Sequence, residues 1–286
     1  DSGTVFGTFY NITYQSEHSL KDSIELVLQA VDDDFSMFNE KSTVSRLNRG
    51  EPGVAYGRDF ATVLQLAREV SDETAGAFDV RVAPLVNAWG FGFKNEQMPT
   101  PQQVDSLLKI RSQMDFSAIA KGWGVDCVAR FLEAQGVSNY MVEIGGEVRT
   151  RGVNAKEQPW RIGITKPSDD PTAQDGELQT VLSITDMALA TSGNYRNFYY
   201  KDGRKYAHTI DPRTGYPVQH NILSATVLAS QCATADAYAT AFMVLGLDGS
   251  REVLNRHPEL MAYLIYTDSS DSLRVWCSPR MAMLTN

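Results

Sequence analysis

Met114-Asp-Phe-Ser-Ala-Ile-Ala-Lys-Gly-Trp-Gly-Val-Asp126 is the stretch on which the reading of the fold turns. It predicts a strand end at Asp115-Phe116-Ser117, a turn through Ala118-Ile119-Ala120, and a helix running to Gln135. Val125, Val128, Ala129 and Leu132 recur on one helix face, and Gly136 is a C-terminal stop. A strand that enters a helix through small residues aims unpaired N–H groups at one spot, which suits a phosphate or another anion. Lys121 stands at that turn and adds positive charge. The same residues also fit an ordinary strand-to-helix connection with a solvated lysine.

The 286 residues around this stretch are 43% hydrophobic and carry a net charge of −9. That length supports a sizeable core in one large or two small domains. Mean hydropathy is −0.27, and no apolar run reaches bilayer length. The acidic balance argues against nucleic acid and anionic membrane surfaces as main partners. An anionic ligand therefore needs a lysine, helix N-termini or a metal. Cys127, Cys232 and Cys277 show no Cys-x-x-Cys spacing and give no disulfide framework. Cys127 and Cys232 lie beside apolar residues and read as buried thiols.

On the N-terminal side, Thr4–Gln15 reads as a strand, Leu20–Phe35 as an amphipathic helix, and Phe60–Thr74 as a second helix. Ser36–Gly57 between them is polar, with one short helical turn near Ser42–Asn48. Ala77-Phe78-Asp79 then leads to Pro84 and the Trp89–Phe93 aromatic-glycine segment. Thr100, Pro101 and Gln103 form a capping-box helix start. On the C-terminal side, Tyr140–Ile144, Val148–Val153, Trp160–Lys166 and a stretch within Gln179–Ser192 read as strands, with a polar loop at Pro167–Gly176. Tyr195–Tyr200 and Lys205–Ile210 form a hairpin closed by Asp202-Gly203. Ile222–Ser230 is a strand, Thr234–Leu245 a helix stopped by Gly246, and Ser250–His257 a short helix. Met261–Tyr266 and Leu273–Cys277 are strands. The irregular interleaving favours an α+β fold over a doubly wound sheet.

No dinucleotide-binding glycine fingerprint, Walker A loop, His-Glu-x-x-His or Gly-x-Ser-x-Gly elbow is present. The four histidines are scattered, which disfavours a histidine-rich metal site. Glu143 and Glu147 flank a Gly-Gly turn and read either as paired carboxylates or as solvated groups. Asp236 and Thr240 are four apart on an alanine-lined helix and share one face. A carboxylate and a hydroxyl so placed suit a hard cation whose shell is completed by substrate phosphates. They equally suit a dipole partner and a packing residue. His208, two residues before the Asp211-Pro-Arg-Thr-Gly215 turn, fits either a cleft or a half-buried structural site. Ala77-Phe78-Asp79 fits either a planar ligand or a plain strand start.

Taken in order, these pieces resemble the ApbE family, the FAD:protein FMN transferases. The resemblance covers nearly the whole chain. It is carried by Gly7-Thr8, Ser42 through Asn48, Ala77-Phe78-Asp79, Asp115 through Gly122 and Glu143-Ile-Gly-Gly-Glu147. It continues through Thr191-Ser192-Gly193, His208 with Asp211–Gly215, and Ala235-Asp236-Ala237 with Thr240. It implies one ApbE-like, T-fold-like domain over residues 1–286, with mixed, mainly antiparallel sheets and packed helices.

The resemblance also implies that the Ala118 carbonyl, Asp236 and Thr240 hold Mg²⁺. Phe6, Phe38, Ala77, Phe78, Asp79, Asp115, Lys121, Ser192, His208 and Ile210 would line the site for FAD, with His208 near the pyrophosphate. His208 and Asp236 would be the catalytic residues. Phe6 stands where the family often has methionine, and Met37-Phe38 where a tyrosine is common. The implied activity is Mg²⁺-dependent transfer of FMN from FAD to a threonine or serine hydroxyl of an acceptor flavoprotein, with release of AMP. Its competitors are an FAD pyrophosphatase using the same site with water, and a flavin carrier without turnover. The family is typically exported and often lipid-anchored, so a periplasmic or outer-face lipoprotein is expected. A start at Asp1 fits loss of a targeting segment.

Overall fold

The alternation over Thr4–Gln15 predicts one strand, but the chain opens with a hairpin of β1 (Ser2–Val5) and β2 (Thr8–Tyr14). Phe6 and Gly7 both take positive φ, 52° and 72°, and reverse the chain between Val5 and Thr8. Two left-handed central residues make a type I′ turn, and a phenylalanine in the first position hides it from sequence reading. A computed structural model describes every residue except 92–97, 111, 168–176, 195–197, 202–203, 208 and 286, and gives only the backbone of the strand residues between 198 and 207.

The first three helices follow their periodicity. α1 (Lys21–Phe35) buries Ile24, Leu28, Val31 and Phe35. α2 (Thr43–Asn48) starts at Ser42, whose hydroxyl accepts the Ser45 N–H at 3.1 Å. α3 (Arg58–Glu73) buries Phe60, Val63, Ala67 and Val70. No strand begins at Ala77-Phe78-Asp79. The Asp79 carboxylate instead caps a 3-10 turn, Val80–Val82, by accepting the Arg81 N–H at 2.9 Å. α4 (Ala83–Ala88) and α5 (Pro101–Leu107) follow, the latter with the expected Thr100–Gln103 capping box. Gly92 and Phe93 lie outside the described residues.

The strand end expected at Asp115–Ser117 is absent as well. Its backbone finds other partners: the Met114 N–H donates to Asn48 Oδ1 and Asn48 Nδ2 donates back to the Met114 carbonyl, each at 2.8 Å. One asparagine amide thus takes the place of a neighbouring strand for the Met114 backbone. Phe116 anchors the segment in the core, with ring centroids 5.2 Å from both Phe35 and Phe60. Such aromatic pairs are worth about 0.5–1.5 kcal/mol each beyond area burial. The chain then turns into α6 (Ala120–Ala134), which ends before Gly136 at a φ of 79°.

β3 (Tyr140–Ile144) and β4 (Glu147–Arg151) form a hairpin, and β5 (Trp160–Thr165) pairs with β6 (Leu178–Ile184). The strand sought within Gln179–Ser192 is really two. β6 ends at Ile184 and β7 (Ala188–Gly193) starts beyond a turn in which Asp186 has a φ of 54°. β8 (Phe198–Lys201) and β9 (Arg204–Ala207) make the expected hairpin, while Tyr195, Asp202, Gly203 and most of the Pro167–Gly176 loop lie outside the described residues. β10 (Ile222–Ala229), α7 (Cys232–Arg256, broken at Gly246), β11 (Met261–Thr267), β12 (Leu273–Cys277) and α8 (Pro279–Ala282) complete the chain.

The main sheet has eight strands in the order β1-β2-β3-β4-β7-β10-β11-β12, and every described pairing is antiparallel. Period-two alternation assigns its faces. Ala190, Ala225, Val227, Ala262 and Leu264 join one core with α3, α6 and α7 residues, while Leu189, Leu228, Met261, Tyr263 and Ile265 join another with Ile164, Leu182 and Ile184 of the β5–β6 hairpin. The sheet is thus packed on helices on one side and partly covered by a hairpin on the other. Cys232 is buried as expected, Cys127 is only half-buried, and Cys127, Cys232 and Cys277 are free thiols. Burial pushes Cys127 up to about 12 and Cys232 well above its usual range, so neither is a ready nucleophile.

Candidate active site

Two helix starts meet at Gly122. A Cβ there would lie 2.5 Å from the Cys232 carbonyl oxygen and 2.8 Å from the Ala233 Cα. Only a glycine lets the first turns of α6 and α7 approach so closely. The two helices then exchange carboxylates. Asp236 of α7 accepts the Gly122 N–H at 3.1 Å. Asp126 of α6 accepts the N–H groups of Cys232 at 3.0 Å and Ala233 at 2.9 Å. Each aspartate satisfies orphan amides at the other helix's positive end. Asp126 also takes the Arg149 guanidinium at 2.7 Å.

Beside this crossing, Lys121 Nζ sits 2.7 Å from Glu147 Oε1. The tight β3–β4 turn delivers Glu147, with Gly145 and Gly146 at φ values of 62° and 102°. Burial disfavours charge on Lys121, but Asp236 and Glu147 outweigh it and raise its pKa above the usual lysine range. Burial raises Glu147; Lys121 opposes that rise, and Asp236 adds to it. Burial likewise raises Asp236, against Lys121 and the Gly122 amide. Two carboxylates thus share one ammonium, and the cluster favours a further positive charge. Glu147 Oε2 is buried without a hydrogen-bond partner.

These groups line one cleft of about 1250 Å³. Phe38, Ala77, Phe78, Asp79, Asp115, Ala118, Lys121, Ser192, Ile210, Asp236 and Thr240, spread across the sequence, all reach it. Phe6 does not: it lines a small apolar side pocket of about 100 Å³ together with Phe35, Met37, Phe38 and Lys121. His208 lies outside the described residues, whereas its neighbours Thr209 and Ile210 line the cleft. Asp115 accepts the Ser117 N–H at 2.8 Å, and Ser192 Oγ and Thr240 Oγ1 lie 3.0 Å apart. Sequence reading assigned no role to Asp126 or Arg149 and left Glu147 open. The signal for Glu147 was its place after Gly145-Gly146; for Asp126 there was none, since the Cys232 and Ala233 amides it accepts lie more than a hundred positions away and Arg149 comes from a different element.

Among the described residues no group of three His, Cys, Asp or Glu side chains is placed to hold a metal ion. A cation here would rely on the Asp236 carboxylate, the Thr240 hydroxyl and the Ala118 carbonyl, with remaining positions left to a ligand. That all-oxygen set fits a hard divalent cation. Glu147 Oε2, which has no hydrogen-bond partner among the described residues, is a further acceptor.

The model of the ApbE family matches residues 6–265. The chain belongs to the ApbE family. Among its ApbE relatives, the FAD:protein FMN transferase of Vibrio cholerae is 40% identical over 298 residues, spanning 93% of this chain and 87% of that one. The Escherichia coli FAD:protein FMN transferase is 33% identical over 97% of this chain and 86% of its own. The solved flavin transferase ApbE from Vibrio cholerae superposes with a TM-score of 0.88 at 36% identity, covering 99% of this chain and 97% of that one. The apo flavinyl transferase ApbE of Pseudomonas stutzeri gives 0.86 at 27% identity, covering 99% and 95%.

The ApbE fold here depends on the helix crossing, which makes Gly122 a sensitive position. Gly122→Ala is expected to destabilise the protein by about 3 kcal/mol, the upper part of the overpacking range, because the obstructing atoms are backbone and cannot rotate away. Denaturant unfolding monitored by circular dichroism measures the loss. A change below about 1 kcal/mol would show that the two helices separate at little cost.

Proposed function

We propose that this ApbE protein is an FAD:protein FMN transferase. An acceptor threonine or serine hydroxyl attacks the FMN phosphorus of FAD. The new O–P bond forms as the bond from that phosphorus to the AMP oxygen breaks. AMP departs and the acceptor carries FMN as a phosphoester. The observation that carries the reading is the cluster of half-buried Lys121 with buried Glu147 and Asp236 at the positive ends of two helices, inside a cleft shared with Ala118 and Thr240. The names of the relatives point to the same reaction.

Each residue has a part in this proposal. Lys121 and the α6 N-terminus place positive charge where the pyrophosphate would lie. Asp236, Thr240 and the Ala118 carbonyl would hold Mg²⁺, which supplies charge to the phosphoryl oxygens and the leaving AMP. Ser192, through its contact with Thr240, fixes that hydroxyl. Phe78, Asp79 and Asp115, which line the cleft, are assigned to the FAD. His208 is assigned to take the acceptor proton.

Incubation with FAD, Mg²⁺ and a threonine-containing acceptor peptide tests the proposal by mass spectrometry. The peptide is expected to gain the mass of FMN less water, with one AMP released per labelled peptide. AMP release without labelling would replace the transferase with a pyrophosphatase. Tight FAD binding without AMP release would leave a carrier.

A further inference from the structure

The cleft exceeds what one small ligand needs. Its volume of about 1250 Å³ lies above the roughly 300–1,000 Å³ of ordinary small-molecule sites. Four main-sheet strands line it: β2, β3, β4 and β7. Each is paired on both sides, so it offers mainly side chains.

β5 differs from all four. Arg161, Ile162, Gly163, Ile164 and Thr165 line the cleft in unbroken succession. Alternate strand residues face opposite ways, so a run of five consecutive residues along one cleft fits a strand that turns its edge to it. Among the described residues β5 pairs with β6 alone. The direction of its free backbone groups follows from the register. The Ser183 N–H of β6 donates to the Leu284 carbonyl at 3.0 Å, away from β5. Arg161 stands opposite Ser183, and Gly163 opposite Val181. In an antiparallel ladder, opposed residues both point inward or both outward. Arg161 and Gly163 therefore turn their N–H and C=O groups to the open edge, and both residues are exposed.

We propose that this edge receives the acceptor: an extended polypeptide segment adds to β5 as a further strand and carries its hydroxyl-bearing residue into the cleft. The proposal rests on the transferase reading, which requires a polypeptide to enter beside a bound dinucleotide. An edge strand meets that need through main-chain hydrogen bonds, with side-chain preference left to alternate positions. It also protects an otherwise unpaired edge while the acceptor is bound.

The test uses the whole protein and a series of acceptor peptides, each N-methylated at one backbone position near the target residue. Methylation removes one N–H without changing any side chain. Labelling is expected to fall about tenfold in kcat/KM at every second position, the loss of one buried backbone hydrogen bond. The positions between should be tolerated. Gly163→Pro removes the donor on the protein's side and is expected to raise the acceptor KM about tenfold, with flavin-fluorescence titration of FAD reporting whether the variant is folded. Equal tolerance at all positions, or losses without a period of two, would overturn the docking mode while leaving the transferase intact. No labelling of the unmethylated peptide would overturn both.

Discussion

Asp236→Asn is expected to lower FMN transfer by about a thousand-fold, the upper range for removing one preorganised electrostatic group. Asp236 is 3% exposed and holds the Gly122 N–H at 3.1 Å. Asparagine keeps the shape and can keep that contact through its carbonyl oxygen. It loses the charge, and with it the strongest anionic donor of the Asp236–Thr240–Ala118 set. Lys121 then keeps Glu147 as its carboxylate partner, and Glu147, raised first by burial, loses the Asp236 charge that adds to the rise. AMP release at saturating FAD across a Mg²⁺ series measures the rate. A calorimetric Mg²⁺ titration measures the metal separately and should show loss of binding. A variant that binds Mg²⁺ normally and turns over within tenfold of the parent would remove Asp236 from the catalytic machinery.

Asp126→Ala is expected to cost about 3–5 kcal/mol of stability, as when one partner of a buried ion pair is deleted. Asp126 is fully buried and accepts from Arg149 at 2.7 Å, Cys232 at 3.0 Å and Ala233 at 2.9 Å. Alanine leaves two α7 amides orphaned inside the protein. Arg149 keeps only Glu133, at 3.4 Å. At roughly 2–4 °C per kcal/mol for a chain approaching this size, the melting temperature should fall by about 6–20 °C. Differential scanning calorimetry reads this directly. Asp126→Asn retains one acceptor and should fall less. A drop under about 3 °C for the alanine variant would show that the exchange of carboxylates between α6 and α7 contributes little.

The two predictions differ in how far the sequence foresaw them. Asp236 was visible because Thr240 lies one turn away on the same helix face, a local relation that spacing encodes. Asp126 sits in the very stretch that decides the fold, yet its partners Cys232 and Ala233 come from a helix more than a hundred residues later. Glu147 falls between these cases. Its turn was legible from Gly145-Gly146, but its contact with Lys121 was not. The errors in strand assignment have two causes. Phe6-Gly7 and Asp186 reverse the chain without the usual Asn-Gly or Asp-Gly signal, and the Met114 backbone is satisfied by Asn48 rather than by a strand.

The sequence by itself determined the longer helices, because 3.6-residue periodicity, the Thr100–Gln103 box and the stops at Gly136 and Gly246 are local properties of the chain; α4 and α8, six and four residues long, are too short to show a period. It also determined the α+β class and, through motifs in a fixed order, the family. Only the tertiary structure decided which helix N-terminus each aspartate serves, that Lys121 meets Glu147, and that β5 lines the cleft. Those relations arise where α6 and α7 come within van der Waals distance at Gly122 and where β5, among the described residues, pairs with β6 alone. Contacts between distant segments depend on how whole elements pack, and no local pattern of residues specifies that packing.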